Sequence, residues 1–293
     1  MKTIYALGVF DGVHLGHQAL LKACSDLAKT EQCCAGAVTF GSHPDGLICG
    51  NSPKLLCTIK DRKQLIKHYN IDQILLLPFD EQLRQQPWQD FLSMLTEKGA
   101  AGFVCGDDFR FGYKGQGNAR LLAEYCRERG LPCAVVPEQT LHGVRISSTY
   151  IRNCIEQGQM EEAVRFLGHP FCISGAVIPG KQLGRTIGIP TANLLLPEDV
   201  VTPKFGVYAC KVCIDGKDYM AVTNVGTRPT VGGNHITVEP WILDFEGDLY
   251  GQTLTLRFYK FLRPERKFGS LEELKAEIIK NAAETRKFFS LSY

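Results

Sequence analysis

The first half of the chain alternates short apolar segments with longer segments in which apolar residues recur every three or four positions. The short apolar segments predict strands at TIYALGVF (3–10), CAGAVTF (34–40), IDQILLLPF (71–79), GAAGFVCG (99–106) and LPCAVVP (131–137). The longer segments predict helices at HQALLKACSDLAK, IKDRKQLIKHY, WQDFLSMLTEK and NARLLAEYCRERG. Because strands that alternate with helices form a parallel sheet covered on both faces, the pattern predicts a doubly wound α/β domain.

The second half changes to β-rich segments that are separated by glycine, proline and aspartate turns, and it ends in one helical segment. Predicted strands are FCISGAVI, FGVYACKVCID, YMAVTNVG, HITVEPWILDF and LTLRFYKFLR, and the helix is SLEELKAEIIKNAAETRKFF. Ser270 followed by Glu273 has the spacing of a capping box at the start of that helix. This half therefore predicts a small antiparallel β-barrel with a C-terminal helix.

Two further helical pieces, STYIRNCIEQG and MEEAVRFLG, close the first half. The HPF sequence that follows marks the predicted domain boundary, so the expected domains are residues 1–168 and 169–293.

Composition limits the classes of function. The 293 residues are 44% hydrophobic and 22% charged, and the net charge of +2 comes from interspersed signs, which disfavours a general nucleic-acid surface. No apolar run is long enough to span a bilayer, and the N-terminus lacks the apolar core of a secretion signal. We expect a cytoplasmic protein without nucleic-acid or membrane partners, and its oligomeric state stays open.

Twelve cysteines are scattered along the chain, several of them inside apolar segments, where we expect them to behave as small buried hydrophobes. Cys210 and Cys213 form the one C-x-x-C pair. Their spacing on a predicted strand points the two side chains to opposite faces, so we predict neither a zinc site nor a redox site there.

Candidate chemistry begins at GVFDGVHLGH, where a strand ends and a helix begins. A helix N-terminus offers free N–H groups to a phosphate, Gly12 and Gly16 permit close approach, and His14 and His17 can donate to phosphoryl oxygens. A metal site would need further ligands that the neighbouring sequence does not offer. The alternative is a glycine-rich turn with solvated histidines.

Three other segments add polar groups to the first half. VTFGSHP carries His43 at a strand end, and GDDFRFGYKGQG carries Asp108. In RISSTYIR, hydroxyl groups at a helix start lie between two arginines, which is a suitable anion clamp for a triphosphate. The plainer alternatives are a packed aromatic turn at DFRFG and an N-capped helix with surface arginines at RISSTYIR.

The densest signal of the second half is GKQLGRTIGIPTANLLLP, residues 180–197. Its glycines permit close backbone approach to a ligand, and Thr191 and Asn193 offer neutral oxygens suited to Mg²⁺ and a phosphate. The alternative is a long glycine-rich loop between strands.

The first-half motifs resemble the H-x-G-H signature of nucleotidyltransferases and, taken in order, the FAD synthetase module of bacterial bifunctional flavin enzymes. The resemblance covers about residues 3–165. It implies that His14 and His17 stabilise the α-phosphate of ATP during in-line attack by a second phosphate. The implied ATP and phosphate ligands are Gly8, Phe10, Asp11, Gly12, His14, His17, His43, Asp108, Arg145, Ser147, Ser148, Thr149 and Arg152. Gly41 and Ser42 depart from the family's F-x-P-H-P loop, which predicts a more mobile loop.

The second-half motif resembles the G-x-x-x-G-R-x-x-G-x-P-T-A-N signature of riboflavin kinase, a six-stranded barrel. The resemblance implies that Glu239 is the catalytic base toward the ribityl 5′-hydroxyl and that Thr191 and Asn193 hold Mg²⁺ and ATP phosphates. Without it, an exposed carboxylate on a strand face is the better interpretation of Glu239. Trp241 stands where the family often has histidine and receives no chemical role. The implied ATP and flavin ligands are Gly180, Lys181, Gly184, Arg185, Gly188, Pro190, Thr191, Asn193 and Arg228.

Together the two resemblances imply a bifunctional enzyme of flavin cofactor synthesis. It would convert riboflavin and ATP to FMN, and then FMN and a second ATP to FAD and pyrophosphate, with Mg²⁺ required in both steps. Two alternatives stay open. One is another nucleotidyltransferase specificity, such as cytidylyl transfer to an alcohol phosphate, and the other is a flavin- or nucleotide-binding protein that has lost one or both activities.

Overall fold

The computed structural model describes residues 2–180, 184, 188–230 and 233–292. The chain divides into two compact units, Met1–Ser148 and Thr149–Tyr293. No helix within the described residues is long and apolar enough to cross a membrane.

The first unit is built on a five-stranded parallel sheet, which confirms the predicted doubly wound α/β class. Its strands are β1 (Thr3–Leu7), β2 (Cys34–Phe40), β3 (Gln73–Leu77), β4 (Ala100–Gly106) and β7 (Cys133–Val136), in the order β3-β2-β1-β4-β7. Short strands β5 (Arg110–Phe111), β6 (Gly117–Asn118), β8 (Thr140–Leu141) and β9 (Val144–Arg145) form two small hairpins that the sequence pattern did not predict. The helices are α1 (Leu15–Thr30), α2 (Pro44–Ile48), α3 (Ile59–Lys67), α4 (Glu81–Gln85), α5 (Trp88–Glu97) and α6 (Ala119–Arg129).

Both faces of this sheet are covered, because successive residues of the central strands point into different apolar clusters. Tyr5 and Leu7 of β1 belong to one cluster, while Ile4 and Ala6 belong to the other. This is why the central strands are continuous apolar runs rather than alternating ones. Helix α1 packs in the cluster that contains Ile4.

The second unit begins at Thr149, within helix α7 (Ser148–Glu156). Helix α8 (Met160–Leu167) follows. Six antiparallel strands follow in the order β10-β15-β12-β13-β14-β11. They are β10 (Phe171–Ala176), β11 (Leu194–Leu195), β12 (Gly206–Ile214), β13 (Lys217–Thr230), β14 (Gly233–Ile242) and β15 (Thr253–Pro264). The sheet curls until its two edge strands approach each other. A hydrogen bond of 2.8 Å joins these edges, from the Ile178 N–H after β10 to the Asn193 carbonyl before β11. The predicted small barrel is therefore confirmed as a nearly closed six-stranded one.

The C-terminal helix α9 (Leu271–Ser292) covers part of the barrel's outer face. Ala282 of α9 joins Val207 and Val222 in one apolar cluster, and Phe289 packs on Tyr259 in another. The predicted cap is present, since the Glu273 N–H donates to Ser270 Oγ at 3.2 Å. The Glu273 carboxylate in turn accepts the N–H of Gly269, the residue before the cap, at 2.9 Å, which ties the entering chain to the first turn of the helix.

The two units meet in the sequence at Ser148/Thr149, twenty residues before the predicted boundary at 168/169. Residues after Thr149 group with the barrel because their helices make contacts within that unit. The Lys204 N–H donates to the Ile155 carbonyl at 3.2 Å, and Glu161 of α8 lies 3.5 Å from the Lys260 ammonium of β15. The predicted boundary between functional domains stays a prediction.

All twelve cysteines are free thiols. On β12, Cys210 is buried and Cys213 is exposed, so the two thiols of the C-x-x-C pair lie on opposite faces of the strand.

Candidate active sites

The chain turns sharply where β1 ends, and this turn begins the first candidate site. Phe10, Gly12 and Val13 all have positive φ angles, of 54°, 73° and 42°. The predicted strand 3–10 therefore stops at Leu7, and residues Asp11–Val13 form a 3₁₀ turn instead. Gly8 lies under the Phe10 ring, since an added Cβ there would be 3.2 Å from that ring. The turn folds back at the edge of the sheet where ligands of doubly wound proteins bind.

His14 and His17 lie together at the start of α1. His14 is the N-cap residue, and its Nδ1 accepts the His17 N–H at 3.3 Å. Because Nδ1 accepts, the proton of the neutral imidazole is assigned to Nε2, which is therefore a donor. The two rings stack with centroids 3.6 Å apart, and Phe10 contacts His17 edge-on at 5.3 Å.

His17 is held in its neutral form. Burial, the neighbouring His14 and the buried Arg62 together keep the pKa of His17 well below its usual value. Its Nδ1 is buried and has no hydrogen-bond partner among the described residues. A neutral, preoriented imidazole pair at a helix N-terminus can donate hydrogen bonds to phosphoryl oxygens without carrying a permanent charge.

The carboxylate of Asp11 faces into the protein. It is almost fully buried, and Oδ1 accepts the Leu56 N–H at 2.8 Å. The Gly12 N–H donates to Cys57 Sγ at 3.4 Å, and Ser148 Oγ donates to the Asp11 carbonyl at 3.1 Å. These contacts indicate that Asp11 stabilises the turn from beneath.

His43 follows β2, the neighbour of β1, and therefore lies at the same edge of the sheet. It caps α2, with Nδ1 accepting the Asp45 N–H at 3.3 Å. Gly41, in the departure from the family loop, donates its N–H to the Leu77 carbonyl of β3 at 3.0 Å. Its backbone is thus tied to the sheet, while the predicted greater mobility of the loop stays a prediction.

Arg145 is surrounded by carboxylates. It forms an ion pair with Asp108, and its Nε lies 2.8 Å from Glu138 Oε2. Asp107 accepts the Glu138 N–H at 3.1 Å, which joins the ends of β4 and β7. Arg145 and Asp108 are both exposed, so this ion pair is accessible from solvent, and the predicted phosphate-binding role of Arg145 stays a prediction.

The rest of the predicted anion clamp lies around the start of α7. Ser147 and Ser148 belong to the first unit, whereas Thr149 and Arg152 belong to the second. Ser148 contributes its hydroxyl to the Asp11 turn, as described above. The combined clamp stays a prediction.

The second candidate site lies along β14. The Ala192 N–H donates to the Pro240 carbonyl at 3.0 Å, and Leu194 pairs with Val238. This antiparallel register places Asn193 opposite Glu239. The two predicted functional residues, 46 positions apart in the sequence, are therefore neighbours across a strand pair.

Glycines shape the backbone around Asn193. An added Cβ at Gly180 would lie 2.3 Å from the Asn193 Nδ2, and one at Gly184 would lie 2.1 Å from the Ile189 carbonyl. Both positions are closed to larger residues unless neighbouring groups move. Gly188 has a φ of 75°, in the left-handed region that favours glycine.

Lys181 and Arg185 lie outside the described residues. The backbone of Arg228 pairs with His235 between β13 and β14, and its side chain also lies outside the description. Trp241 packs on the apolar cluster of Val207, Val222 and Ala282.

Three polar residues near Glu239 were not among the predicted site residues. Thr237 Oγ1 donates to Glu239 Oε1 at 3.2 Å, and Asn224 of β13 is the register partner of Glu239. The Asn224 amide in turn donates to Glu265 Oε1 at 3.3 Å. Strand alternation in TVEPW would have placed Thr237 on the face of Glu239. Nothing local in the sequence indicates the register that adds Asn224 and Glu265.

A cleft of about 410 Å³ adjoins Thr191. Pro190, Thr191 and Ala192 line one side, and residues 245–250 after β14 line much of the rest. Thr191 is exposed, so its hydroxyl is accessible beside the cleft. Volumes of this size are typical of sites for small organic ligands.

Both halves of the chain are similar to known proteins. A family model for FAD synthetase matches residues 1–150, and one for riboflavin kinase matches residues 167–289. The chain is 35% identical over 294 residues to the bifunctional riboflavin kinase/FMN adenylyltransferase of Listeria monocytogenes, covering 99% of this chain and 93% of the relative. It is 36% identical over 293 residues to the protein of the same name from Escherichia coli, with the same coverage.

A solved structure has the same fold over nearly the whole chain. It is a protein from Streptococcus pneumoniae, described as a macrolide-efflux protein, with a TM-score of 0.88 and 30% sequence identity. The similarity covers 97% of this chain and 94% of that one.

Proposed function

Because this chain belongs to the bifunctional riboflavin kinase/FMN adenylyltransferase family, we propose that each reaction is performed by the candidate site found in the corresponding unit. The chain converts riboflavin and ATP to FMN, and FMN and ATP to FAD and pyrophosphate. The assignment of individual residues to these two steps is the proposal.

The kinase step is assigned to the barrel, and the observation that carries it is the register of β11 on β14, whose flanking contacts place Asn193 opposite Glu239. Glu239 takes the proton of the ribityl 5′-hydroxyl as that oxygen attacks the γ-phosphorus and ADP leaves. The hydrogen bond from Thr237 to Oε1 restricts the orientation of this carboxylate. Phosphoryl transfer depends mainly on positioning, so a carboxylate fixed between two strands suits this step.

Magnesium is the metal that the kinase donor set fits. Thr191 and Asn193 offer uncharged oxygens, and Glu239 lies directly opposite Asn193. The fit of Asn193 against Gly180 fixes the amide beside the loop, as expected of a preorganised ligand. Mg²⁺ takes few protein ligands and keeps water and phosphate for the rest, so the small neutral set is sufficient. When bound, the ion would neutralise charge on the ATP phosphates.

The cleft beside Thr191 is assigned to the nucleotide of the kinase step. It adjoins the segment that carries Thr191 and Asn193, so a nucleotide in the cleft would direct its phosphates toward both residues. The accepting hydroxyl would then approach from the side of Glu239.

Adenylyl transfer is assigned to His14 and His17 in the first unit. A phosphate oxygen of FMN attacks the α-phosphorus of ATP, and pyrophosphate leaves. The imidazoles donate hydrogen bonds to the α-phosphate oxygens, where negative charge grows in the transition state. His43 lies at the same edge of the sheet as the two histidines, and Arg145 lies in the segment that follows β7, the last strand of that sheet. We assign both residues to binding the triphosphate of ATP.

Separate variants in the full chain test this division. Flavin-stripped protein is incubated with riboflavin, ATP and Mg²⁺, and the flavins are separated by chromatography over time. Glu239→Gln should stop FMN formation but leave FAD formation from supplied FMN. His14→Ala should do the reverse, so that FMN accumulates. Glu272→Gln and His68→Ala, at exposed positions in the same units, are the controls. Loss of both reactions in a folded single variant would contradict the division.

We further propose cytoplasmic location and small-molecule partners only. A net charge of +2 with interspersed signs supports the absence of a nucleic-acid surface, and ATP as co-substrate supports the location. Cell fractionation combined with a filter-binding assay against RNA and DNA tests both.

A further inference from the structure

Arg62 is a buried charge that the two reactions, as assigned above, do not use. It belongs to α3, and its guanidinium is only 2% exposed. Burying a charge costs free energy unless the charge is paired and hydrogen-bonded. The contacts of the guanidinium therefore identify the groups that stabilise it in the interior. Nη1 donates to the Val9 carbonyl and to the Phe40 carbonyl, each at 3.2 Å. Nη2 lies 4.0 Å from Asp11 Oδ1.

These three partners lie where two neighbouring strands leave the sheet. Val9 follows β1 and precedes the turn that carries His14 and His17, whereas Phe40 is the last residue of β2 and precedes the loop with His43. A single planar guanidinium therefore joins the start of both histidine-carrying segments. Thr39 Oγ1 also donates to the Val9 carbonyl, at 2.7 Å, which ties the same two strands.

The segment before α3 completes this network. Asp11, the ionic partner of Arg62, accepts the Leu56 N–H, and the Gly12 N–H donates to Cys57. Burial raises the pKa of the Cys57 thiol to about 12, so it stays a neutral acceptor beside the ion pair. The network thus links the histidine turn, the end of β2 and the residues before α3 through buried contacts.

We propose that Arg62 is a positioning residue for adenylyl transfer, which sets the relative placement of the His14–His17 turn and the His43 loop without contacting substrate. The proposal rests on the assignment of adenylyl transfer to these histidines. It explains why a charged group is buried at a place where an apolar residue would cost less to bury. A planar guanidinium carries donors on separate nitrogens, so Nη1 can serve the two carbonyls while Nη2 faces the carboxylate.

An electrostatic consequence separates this role from simple packing. The charged and titratable groups that act on His17 are His14, on its own helix cap, and Arg62 of α3, and Asp11 of the turn is the ionic partner of Arg62. After burial and His14, the positive charge of Arg62 contributes to the lowered pKa of His17. Removing that charge should raise the pKa of His17, whereas a change in packing alone would not require it.

Two substitutions in the full chain test the proposal. Arg62→Lys keeps the charge but loses the planar set of donors, and Arg62→Met removes both. We expect Arg62→Lys to lower kcat for FAD formation from FMN by about 10- to 100-fold, because displacement of reacting groups by 1 Å has effects of that size. KM for FMN and ATP should change much less. FMN formation from riboflavin should be unchanged and reports an intact second unit.

The matched control is Arg120→Met, which removes an arginine from an exposed i,i+4 ion pair on α6 and should leave both reactions unchanged. An NMR titration of the His17 ring is the second measurement. Arg62→Met should raise the His17 pKa, and Arg62→Lys should leave it near the wild-type value.

Wild-type kcat for FAD formation in Arg62→Lys would overturn the proposal. So would loss of the native His17 signal in both variants, because Arg62 would then be needed only for folding. If His14→Ala also kept FAD formation, the assignment of the step to the histidines would have failed. If His14→Ala abolished FAD formation while Arg62→Lys did not, only the role of Arg62 would have failed.

Discussion

Replacing Gly180 with alanine should slow the kinase reaction through Asn193. The added Cβ would lie 2.3 Å from Asn193 Nδ2, 2.6 Å from Cγ and 2.7 Å from Oδ1. The amide must therefore move by about 1 Å to reach the ordinary contact distance of 3.4 Å. Asn193 has its backbone held by Ile178, and its side chain lies in the same cross-strand pair as Glu239, so the displacement falls on a predicted metal and phosphate ligand.

The expected effect follows from the size of that displacement. A misplacement of 1 Å in a reacting group costs about 100-fold in rate, which corresponds to about 2.7 kcal/mol of activation free energy. We expect kcat for FMN formation to fall by about that factor in Gly180→Ala, while FAD formation from supplied FMN is unchanged. Initial rates with saturating riboflavin and ATP, measured by chromatography, give both numbers in one preparation.

Two further variants isolate the cause. Gly175→Ala is the matched control in the same barrel, because its added Cβ would meet its nearest neighbour at the ordinary distance of 3.4 Å. If Gly180→Ala acts only through Asn193, the double variant Gly180→Ala/Asn193→Ala should be no slower than Asn193→Ala alone. A wild-type rate in Gly180→Ala, or full additivity in the double variant, would refute the reasoning.

Two predictions concern the first unit. Because the pKa of His17 is lowered below its ordinary value, the unfolded chain binds a proton there more readily than the folded one, so stability should fall as the pH decreases below about 6.5, by at most about 1.4 kcal/mol per pH unit. Thermal unfolding between pH 7 and pH 5.5 should show this decrease, and an equally steep decrease in His17→Asn would contradict it. Gly112 has a φ of 71°, and an added Cβ would lie 2.6 Å from the Trp88 backbone. Gly112→Ala should destabilise the first unit by about 2 kcal/mol or more and lower its unfolding temperature, whereas Gly130→Ala, with similar φ and open space, should cost only about 1 kcal/mol.

Local patterns in the sequence predicted most elements because those patterns have local causes. The strand β2 begins and ends at the predicted residues Cys34 and Phe40, since a buried central strand needs a continuous apolar run. The Ser270 cap was predictable because a helix start leaves N–H groups that nearby side chains must satisfy. The predicted end of the first strand was wrong because the backbone has a positive φ at Phe10. Hydrophobic periodicity does not indicate a left-handed conformation at a residue other than glycine.

The sequence by itself determined the order of elements, the two classes of fold and the types of residue available for chemistry. These depend on hydrophobic periodicity, turn residues and motifs within a few positions of one another. Only the tertiary structure decided which distant residues meet. The register of β11 on β14 places Asn193 opposite Glu239, and the packing of α3 places Arg62 against a carbonyl 53 positions away. Such pairings follow from how whole strands and helices pack, because many weak contacts along their length must be satisfied together.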